Sequence, residues 1–223
     1  MKMDNKTTVS ATDFFNIFHK DIAMHTFEAI KQRRSVKYYD STYQISLEDE
    51  TQLIDLAMQA PSSFNIQHWR LVKVSDPALR KAIRTVAVDQ AQITDASLLY
   101  VICADIKAWK KEPARYWRNA PKEVQAILVP WIKPFYEGNE QLQRDEAMRS
   151  VGFIGQTIML AAKAMGYDSC PMIGFDAAKV AELINLPKDH VIGMILVIGK
   201  ATQPAWSKPG FIEKSEMLIA NHF

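Results

Sequence analysis

Apolar and polar positions along this 223-residue chain alternate between helical and extended periods. Two short runs, SLLYVICAD over 97–105 and HVIGMILVIGKA over 190–201, are almost continuously apolar, the pattern of core strands. The first reads as a central strand covered on both faces. WRLVKV over 69–74 predicts another strand, closed by Asp76-Pro77, with Pro77 suited to the first turn of a helix through Leu79, Ile83 and Val86. Ahead of it, SLEDETQLIDLAMQA predicts a helix with Ser46 as N-cap and Glu48 and Asp49 at the positive end of its dipole. Leu47, Thr51, Ile54 and Met58 share one face of that helix, and Pro61 stops it. TFEAIKQRRS sets Phe27 and Ile30 at helical spacing before a basic cluster. From Arg144 to Gly166 the spacing predicts a long helix, apolar nearly all round, with Gly166 at C′. Such a helix must be buried by its own domain or by a partner chain. DSCPMIGFD reads as a loop, and Asp176 as the cap of a short helix to Leu186.

Helices interleaved with a few apolar strands predict an α+β or α/β layered domain. Residues 1–25 read as an N-terminal arm and 26–223 as one domain. Within it, residues 107–142, rich in Trp, Tyr and Pro, read as an insertion or lid of short helices. A hydrophobic fraction of 48% against 23% charged is enough for a sizeable core. The formal charge of +2 gives no long-range field toward nucleic acid or acidic membranes. Cys103 and Cys170 form no CxxC pair, which argues against a disulfide framework or a zinc site and fits a reducing compartment. The first residues carry no apolar leader. The most apolar run, VGFIGQTIMLAAKAM, contains Gln156 and Lys163 and is too short to cross a bilayer comfortably. A soluble cytoplasmic protein is expected, with no membrane or nucleic-acid partner.

Three stretches carry candidate chemistry. In KQRRSVKYYD, Arg33 and Arg34 can fork onto phosphate or carboxylate, Ser35 adds a hydroxyl, and Lys37 adds a point charge. The same cations at a helix C-terminus also complement its dipole, and with Tyr38 and Tyr39 they could form an anion or nucleic-acid patch. In APSSFNIQHWR, Ser62, Ser63, Asn65 and Gln67 offer hydroxyls and amides that suit the edge of a planar heterocycle. Equally, such a stretch can be a turn that satisfies its own backbone. In CPMIGFD, Gly174 permits close approach of backbone N–H groups to a flat ligand. Cys170 has no neighbouring His in sequence and reads as a structural thiol. The five histidines show no HxxxH or HExxH spacing, so no metal site is expected. No GxGxxG, GxxxxGK[ST] or GxSxG occurs. With no evident catalytic side chain, an enzyme of this kind would rely on a cofactor.

In their order and spacing, RRSVKYYD, APSSFNIQHWRLVKV and the helix-to-loop stretch RDEAMRSVGFIGQTIMLAAKAMGYDSCPMIGFD resemble the FMN-dependent nitroreductase family, over most of residues 26–200. The resemblance implies a nitroreductase-like α+β, three-layer α/β/α fold: a mixed central sheet with helices on both faces, in a homodimer holding two FMN at its interface. It implies ping-pong transfer from NADH or NADPH through FMN to a nitroaromatic, quinone or similar small-molecule acceptor. Carried over, Arg33, Arg34 and Ser35 would hold the ribityl phosphate and part of the ring edge, with Lys37 near the pyrimidine side. From the other subunit, Pro61, Ser62, Ser63 and Asn65 would line the isoalloxazine, with Gln67 supporting their loop. Pro171, Met172, Ile173 and Gly174 would bring backbone toward flavin N5, and Lys208 is the candidate for a C-terminal phosphate contact. The chain departs from the family pattern at His68, where many members have Pro, and at Ile173, where many have Glu. Asp89 and Gln92 stand where relatives often have Asn and Lys. Trp109, Tyr116, Trp117, Trp131, Phe135 and Tyr136 of the insertion could line the acceptor pocket or pack the dimer. A non-catalytic flavin-binding or redox-sensing protein on the same fold is the competing expectation.

Overall fold

The structure is a computed structural model, described here for residues 24–223; apart from Met24 and His25, the expected N-terminal arm lies outside the described residues. The elements in chain order are α1 (Thr26–Gln32), α2 (Leu47–Ala57), β1 (Trp69–Lys73), α3 (Pro77–Thr85), α4 (Gln92–Asp95) and β2 (Leu98–Asp105), followed by α5 (Lys122–Tyr136), α6 (Glu140–Ala164), β3 (Asp168–Met172), α7 (Ala177–Leu183), β4 (His190–Gly199) and α8 (Lys214–Met217). The strands lie in the order β1-β2-β4-β3, with every neighbouring pair antiparallel. The parallel component of a mixed sheet is confined, among the described residues, to a single bridge between Ser35 and Ser169.

The strand period sorts side chains into two cores. Leu98, Tyr100, Ile102 and Ala104 of β2 face α2 and α6, where they meet Leu53, Ala57, Val151, Ile154 and Ile158. Leu99, Val101 and Cys103 face the opposite layer, with Ile83 of α3, Ile93 of α4 and Val180 of α7. Every residue of β2 is buried, as its unbroken apolar run demands. Gly193 of β4 lets α6 lie close: a Cβ there would collide with the Val151 side chain. A third, smaller core joins the insertion to the loop before β1 through Ile66, Ala108, Trp109, Ile132 and Tyr136.

Local signals hold at most helix ends. Ser46 Oγ accepts from Asp49 N at 3.0 Å, Asp76 accepts from Ala78 and Leu79 N, and Asp176 accepts from Lys179 N at 3.1 Å. Gly166 follows α6 with φ +79°, the left-handed conformation a C′ glycine supplies. Four expectations change. DSCPM is strand β3, not loop: Pro171 is tolerated because β3 is an edge strand needing a ladder on one side only. Helix α2 buries Leu53 and Ala57 with Ile54 packed beside them, while Leu47 and Met58 stay 78% and 55% exposed. Phe27 and Ile30 are likewise exposed, and only Ala29 of α1 is buried. The insertion holds the expected short helices, as 3-10 turns at Ala108–Lys110 and Pro113–Trp117, and also one helix of 15 residues, α5, running through Pro130 and Pro134. No helix among the described residues is long and apolar enough to cross a membrane.

Candidate active site

The basic segment after α1 runs along the outer side of β3. Ser35 bridges Ser169, Val36 N donates to Ser169 O at 3.1 Å, and Tyr39 bridges Ala201. Val36 is buried and its neighbours Ser35 and Lys37 are exposed, as an extended stretch with alternating faces gives, and Tyr39 is buried beyond them where the chain bridges Ala201. Arg33 and Arg34 are half-buried. Arg34 spends Nη1 on the carbonyls of Lys31 (2.6 Å) and Arg33 (2.8 Å), which fixes its guanidinium beside the segment. Burial pushes the Cys170 thiol up, and the nearby cations of Lys37 and Arg33 oppose that shift. Cys170 is therefore a protonated, buried thiol beneath a cationic rim.

The stretch beyond β3 continues this site. Met172 is buried, Ile173 is 82% exposed, and Gly174 is exposed. Among the described residues the Ile173 and Gly174 amides have no hydrogen-bond acceptor. Two glutamines at the start of α4 hold this stretch from below. Gln90 Nε2 donates to Gly174 O at 3.1 Å, and the buried Gln92 Nε2 meets Gln90 Oε1 at 3.0 Å and Met172 Sδ at 3.3 Å. Gln90 escaped the sequence reading; its place two residues before Gln92, at a helix start, was the available signal. Asp89 turns away to pair with Arg84. A groove of about 390 Å³ beside the cations is lined by Arg34, Lys163, Asp168, Trp206 and Ser207. Lys208 lies one residue beyond that lining and places its ammonium over the Phe211 ring at 4.5 Å.

The hydroxyl and amide loop occupies the other edge of the sheet. Ser62 Oγ accepts from Gln67 N at 2.9 Å, and Gln67 Nε2 reaches Asn65 O and Oδ1, each at 3.3 Å. Pro61 and Asn65 are exposed, and Ser62, Ser63 and Gln67 half-buried. Phe64, Asn65 and Gln67 have φ of +50°, +54° and +52°. Left-handed backbone at non-glycine residues costs on the order of 1 kcal/mol or more each. Surrounding structure must therefore impose this loop. With β2, β4 and β3 between them, the Arg33–Lys37 rim outside β3 and the Ser62–Gln67 loop at the β1 edge are about four strand spacings, ~19 Å, apart across the sheet.

Beneath the loop, His68 is fully buried, with Nδ1 3.1 Å from Ser150 Oγ. Among the described residues its Nε2 is unpaired, as are the buried Tyr136 hydroxyl and Trp109 Nε1. Tyr136 stacks on Trp109 with ring centres 6.0 Å apart and meets the His68 ring edge-on at 6.3 Å. Ser63 is close enough to affect the Tyr136 hydroxyl without making a geometrically sound hydrogen bond. Burial lowers His68 to about 4, so the ring is neutral.

Two other clusters are accounted for by their own pairing. Asp105, Asp189 and His190 come within ligand distance of one another despite the lack of metal-type histidine spacing, but Lys111 Nζ sits on both carboxylates, at 2.8 and 2.6 Å. A cavity of about 420 Å³ at the far end of the sheet includes Lys73, held by Glu50, and Arg80, whose guanidinium is spent on three backbone carbonyls.

The donor set fits FMN: cations and a hydroxyl for a phosphate, side-chain amides and free backbone N–H groups for a ring edge, and an open approach at Gly174. Comparison with known proteins agrees. The sequence model of the Nitroreductase family matches residues 30–200. Protein DrgA of Synechocystis sp. is 56% identical over 200 residues, covering 87% of this chain and 95% of that protein. The oxygen-insensitive NADPH nitroreductase of Helicobacter pylori strain 26695 is 30% identical over 192 residues, covering 81% of this chain and 90% of its own. A nitroreductase structure from Exiguobacterium sibiricum, solved in complex with FMN, superposes with a TM-score of 0.81 at 29% identity, covering 89% of this chain and 98% of that one. With motif order, fold and sequence in agreement over most of its length, this chain belongs to the nitroreductase family.

Proposed function

We propose that this protein is an FMN-dependent oxidoreductase that works as a homodimer, takes reducing equivalents from NADH or NADPH, and reduces nitroaromatics, quinones or similar acceptors. The observation that carries this reading is the split donor set. Cations and free amides crowd the β3 edge, and the hydroxyl and amide loop lies at the β1 edge, about 19 Å across the sheet from the cationic rim. A second copy, related by a two-fold axis, can bring its Ser62–Gln67 loop to the first copy's Arg33–Lys37 rim, and the reverse, making two equal sites. Surface chemistry supports the pairing. Phe27, Ile30, Leu47, Met58 and Phe153 are exposed apolar side chains, as are Trp206, Phe211 and Leu218 in the C-terminal stretch.

The chemistry FMN supplies when bound is alternate uptake of hydride from NAD(P)H and delivery of electrons to an acceptor, a ping-pong cycle. The chain's own residues bind and orient. Arg33, Arg34 and Ser35 take the phosphate side, with Lys208 or Lys163 as a further cation. Lys37 sets positive charge near the ring, and the Ile173 and Gly174 amides offer donors to a ring nitrogen. Gln90 and Gln92 hold those amides in place. Pro61, Ser62, Ser63 and Asn65 form the opposing wall, braced by Gln67. The exposed faces of Trp131 and Phe135 line the approach for a flat acceptor.

Anaerobic titration of the purified protein with NADH and NADPH tests the reading. The expected result is a yellow protein whose visible absorption bleaches on reduction and returns with a quinone or nitroaromatic. A colourless protein that takes up no FMN, or a yellow one that neither nicotinamide bleaches, overturns it.

A further inference from the structure

The Ser62–Gln67 loop is forced into a conformation its own residues disfavour, and the insertion supplies the force. Three of its six residues have left-handed φ, among them Phe64, whose bulky side chain is especially unsuited to that region. Inside the loop, the Ser62 hydroxyl and the Gln67 side chain make local bonds only. Arg70 of β1 holds the far end, donating Nη1 to Gln67 O at 3.0 Å, and the outside bonds to Phe64 and Asn65 come from one short stretch of the insertion. Trp117 Nε1 donates to Phe64 O at 3.0 Å, and Asn65 Nδ2 donates to Tyr116 O at 2.8 Å. These bonds grip the two consecutive left-handed residues, one through its carbonyl and one through its side chain.

The grip is itself anchored. Lys111, at the root of the insertion, is tied to Asp105 and Asp189 of the main domain. At the other end, Gln143 of α6 donates to Tyr136 O at 2.7 Å, and Lys107 Nζ donates to Gln143 Oε1 at 2.6 Å. Phe64 packs edge-on against Phe135 at 5.2 Å, and Ile66 is fully buried in the same small core. The stretch that grips the loop also faces open space: Tyr116 lines a cavity of about 410 Å³ with Gln67, Met58 and Arg70.

We infer that Trp117, assisted by the Tyr116 carbonyl, is a positioning residue that holds the Ser62–Gln67 loop in its left-handed, cofactor-facing form. The inference rests on the proposed FMN site. The insertion is then a clamp on the cofactor wall, and occupancy of the cavity beside Tyr116 can be felt at the flavin through Asn65 and Phe64. Without the indole N–H the loop relaxes toward ordinary backbone angles, and the Ser63 and Asn65 polar groups leave their places.

The test is Trp117→Phe in the full-length protein, which keeps an aromatic ring in the small core and deletes the donor. FMN affinity is measured by fluorescence titration after flavin removal, and the visible absorption and circular dichroism of the reloaded protein are compared with wild type. The expected result is an FMN dissociation constant raised about tenfold, near the effect of one lost hydrogen bond, with altered flavin bands and a thermal midpoint of the flavin-free protein close to wild type. Hydrogen exchange on FMN-loaded wild type is the second measurement, and amides 63–67 and 116–118 should open as one unit. An affinity within twofold of wild type with unchanged flavin bands overturns the inference while the FMN reading stands. Independent exchange of the two segments also overturns it. A wild type that binds no FMN removes the functional reading and this inference with it.

Discussion

Acidification from pH 7 to pH 5 should weaken this fold through one residue, His68. Among the described residues the fully buried ring is partnered only by Ser150 and its Nε2 faces no acceptor, so a proton taken there is neither hydrated nor paired. Burial dominates its shift from 6.5 to about 4; the Asp105 charge opposes that shift and Arg70 reinforces it. The folded value lies below the unfolded one. Across the window between them the unfolded chain therefore binds more protons than the native chain, and stability rises with pH. With these two values, linkage gives a loss of about 2 kcal/mol between pH 7 and pH 5. The assay is urea unfolding at both pH values, at fixed protein concentration and flavin content, for wild type and His68→Asn. The Asn amide can keep a contact to Ser150 but takes no proton in this range. Every other titrating group is common to both proteins, so the difference of differences isolates His68. An equal loss of stability in wild type and variant would refute the argument, because the acid sensitivity would then lie elsewhere.

Replacing both Arg33 and Arg34 with Ala should raise the FMN dissociation constant about 100-fold, the loss of two charge-assisted partners, as read by fluorescence titration; unchanged flavin content in the double variant would remove them from the site. Gly193→Ala should lower the thermal midpoint by about 4–8 °C, because the new Cβ meets Val151 and forces β4 and α6 apart at a cost of about 2 kcal/mol. Lys111→Met should destabilise by about 2 kcal/mol in chemical denaturation, since Asp105 is only 3% exposed and would keep the Lys107 amide at 3.0 Å but, as a cationic partner, just the more distant Arg70, at 3.8 Å. Dilution to monomer should release FMN if two copies build each site, and gel filtration with flavin absorbance checks this.

What could be read from the sequence was local or periodic. The caps at Ser46 and Asp176, Pro77 in the first turn of α3, the C′ glycine at 166 and the buried run of β2 each depend on neighbours within one or two turns or on an unbroken apolar stretch. The misreadings have tertiary causes. Pro171 suggested a loop because a sequence does not show which strand will be an edge. Pro130 and Pro134 argued for short helices, yet α5 continues through them because Ile132 and Tyr136 are fully buried on its inner side. In α1 and α2 most of the apolar stripe legible from spacing, Phe27, Ile30, Leu47 and Met58, is exposed, while Ile54 packs against the main core; the exposed part is surface the proposed second copy would cover. The candidate site divides the same way. Its residue types stand in three linear stretches, and a resemblance is enough to collect them. Their separation onto opposite edges of one sheet is a fact of strand order, which no single stretch encodes. The strain in Phe64 and Asn65, and the indole 53 residues away that holds it, are likewise invisible until the insertion is folded against the loop. His68 joins these two levels. Where the family resemblance implies proline, this chain places a ring under the Ser62–Gln67 loop and packs it against the insertion through Tyr136, so this residue sits where loop, sheet and insertion meet.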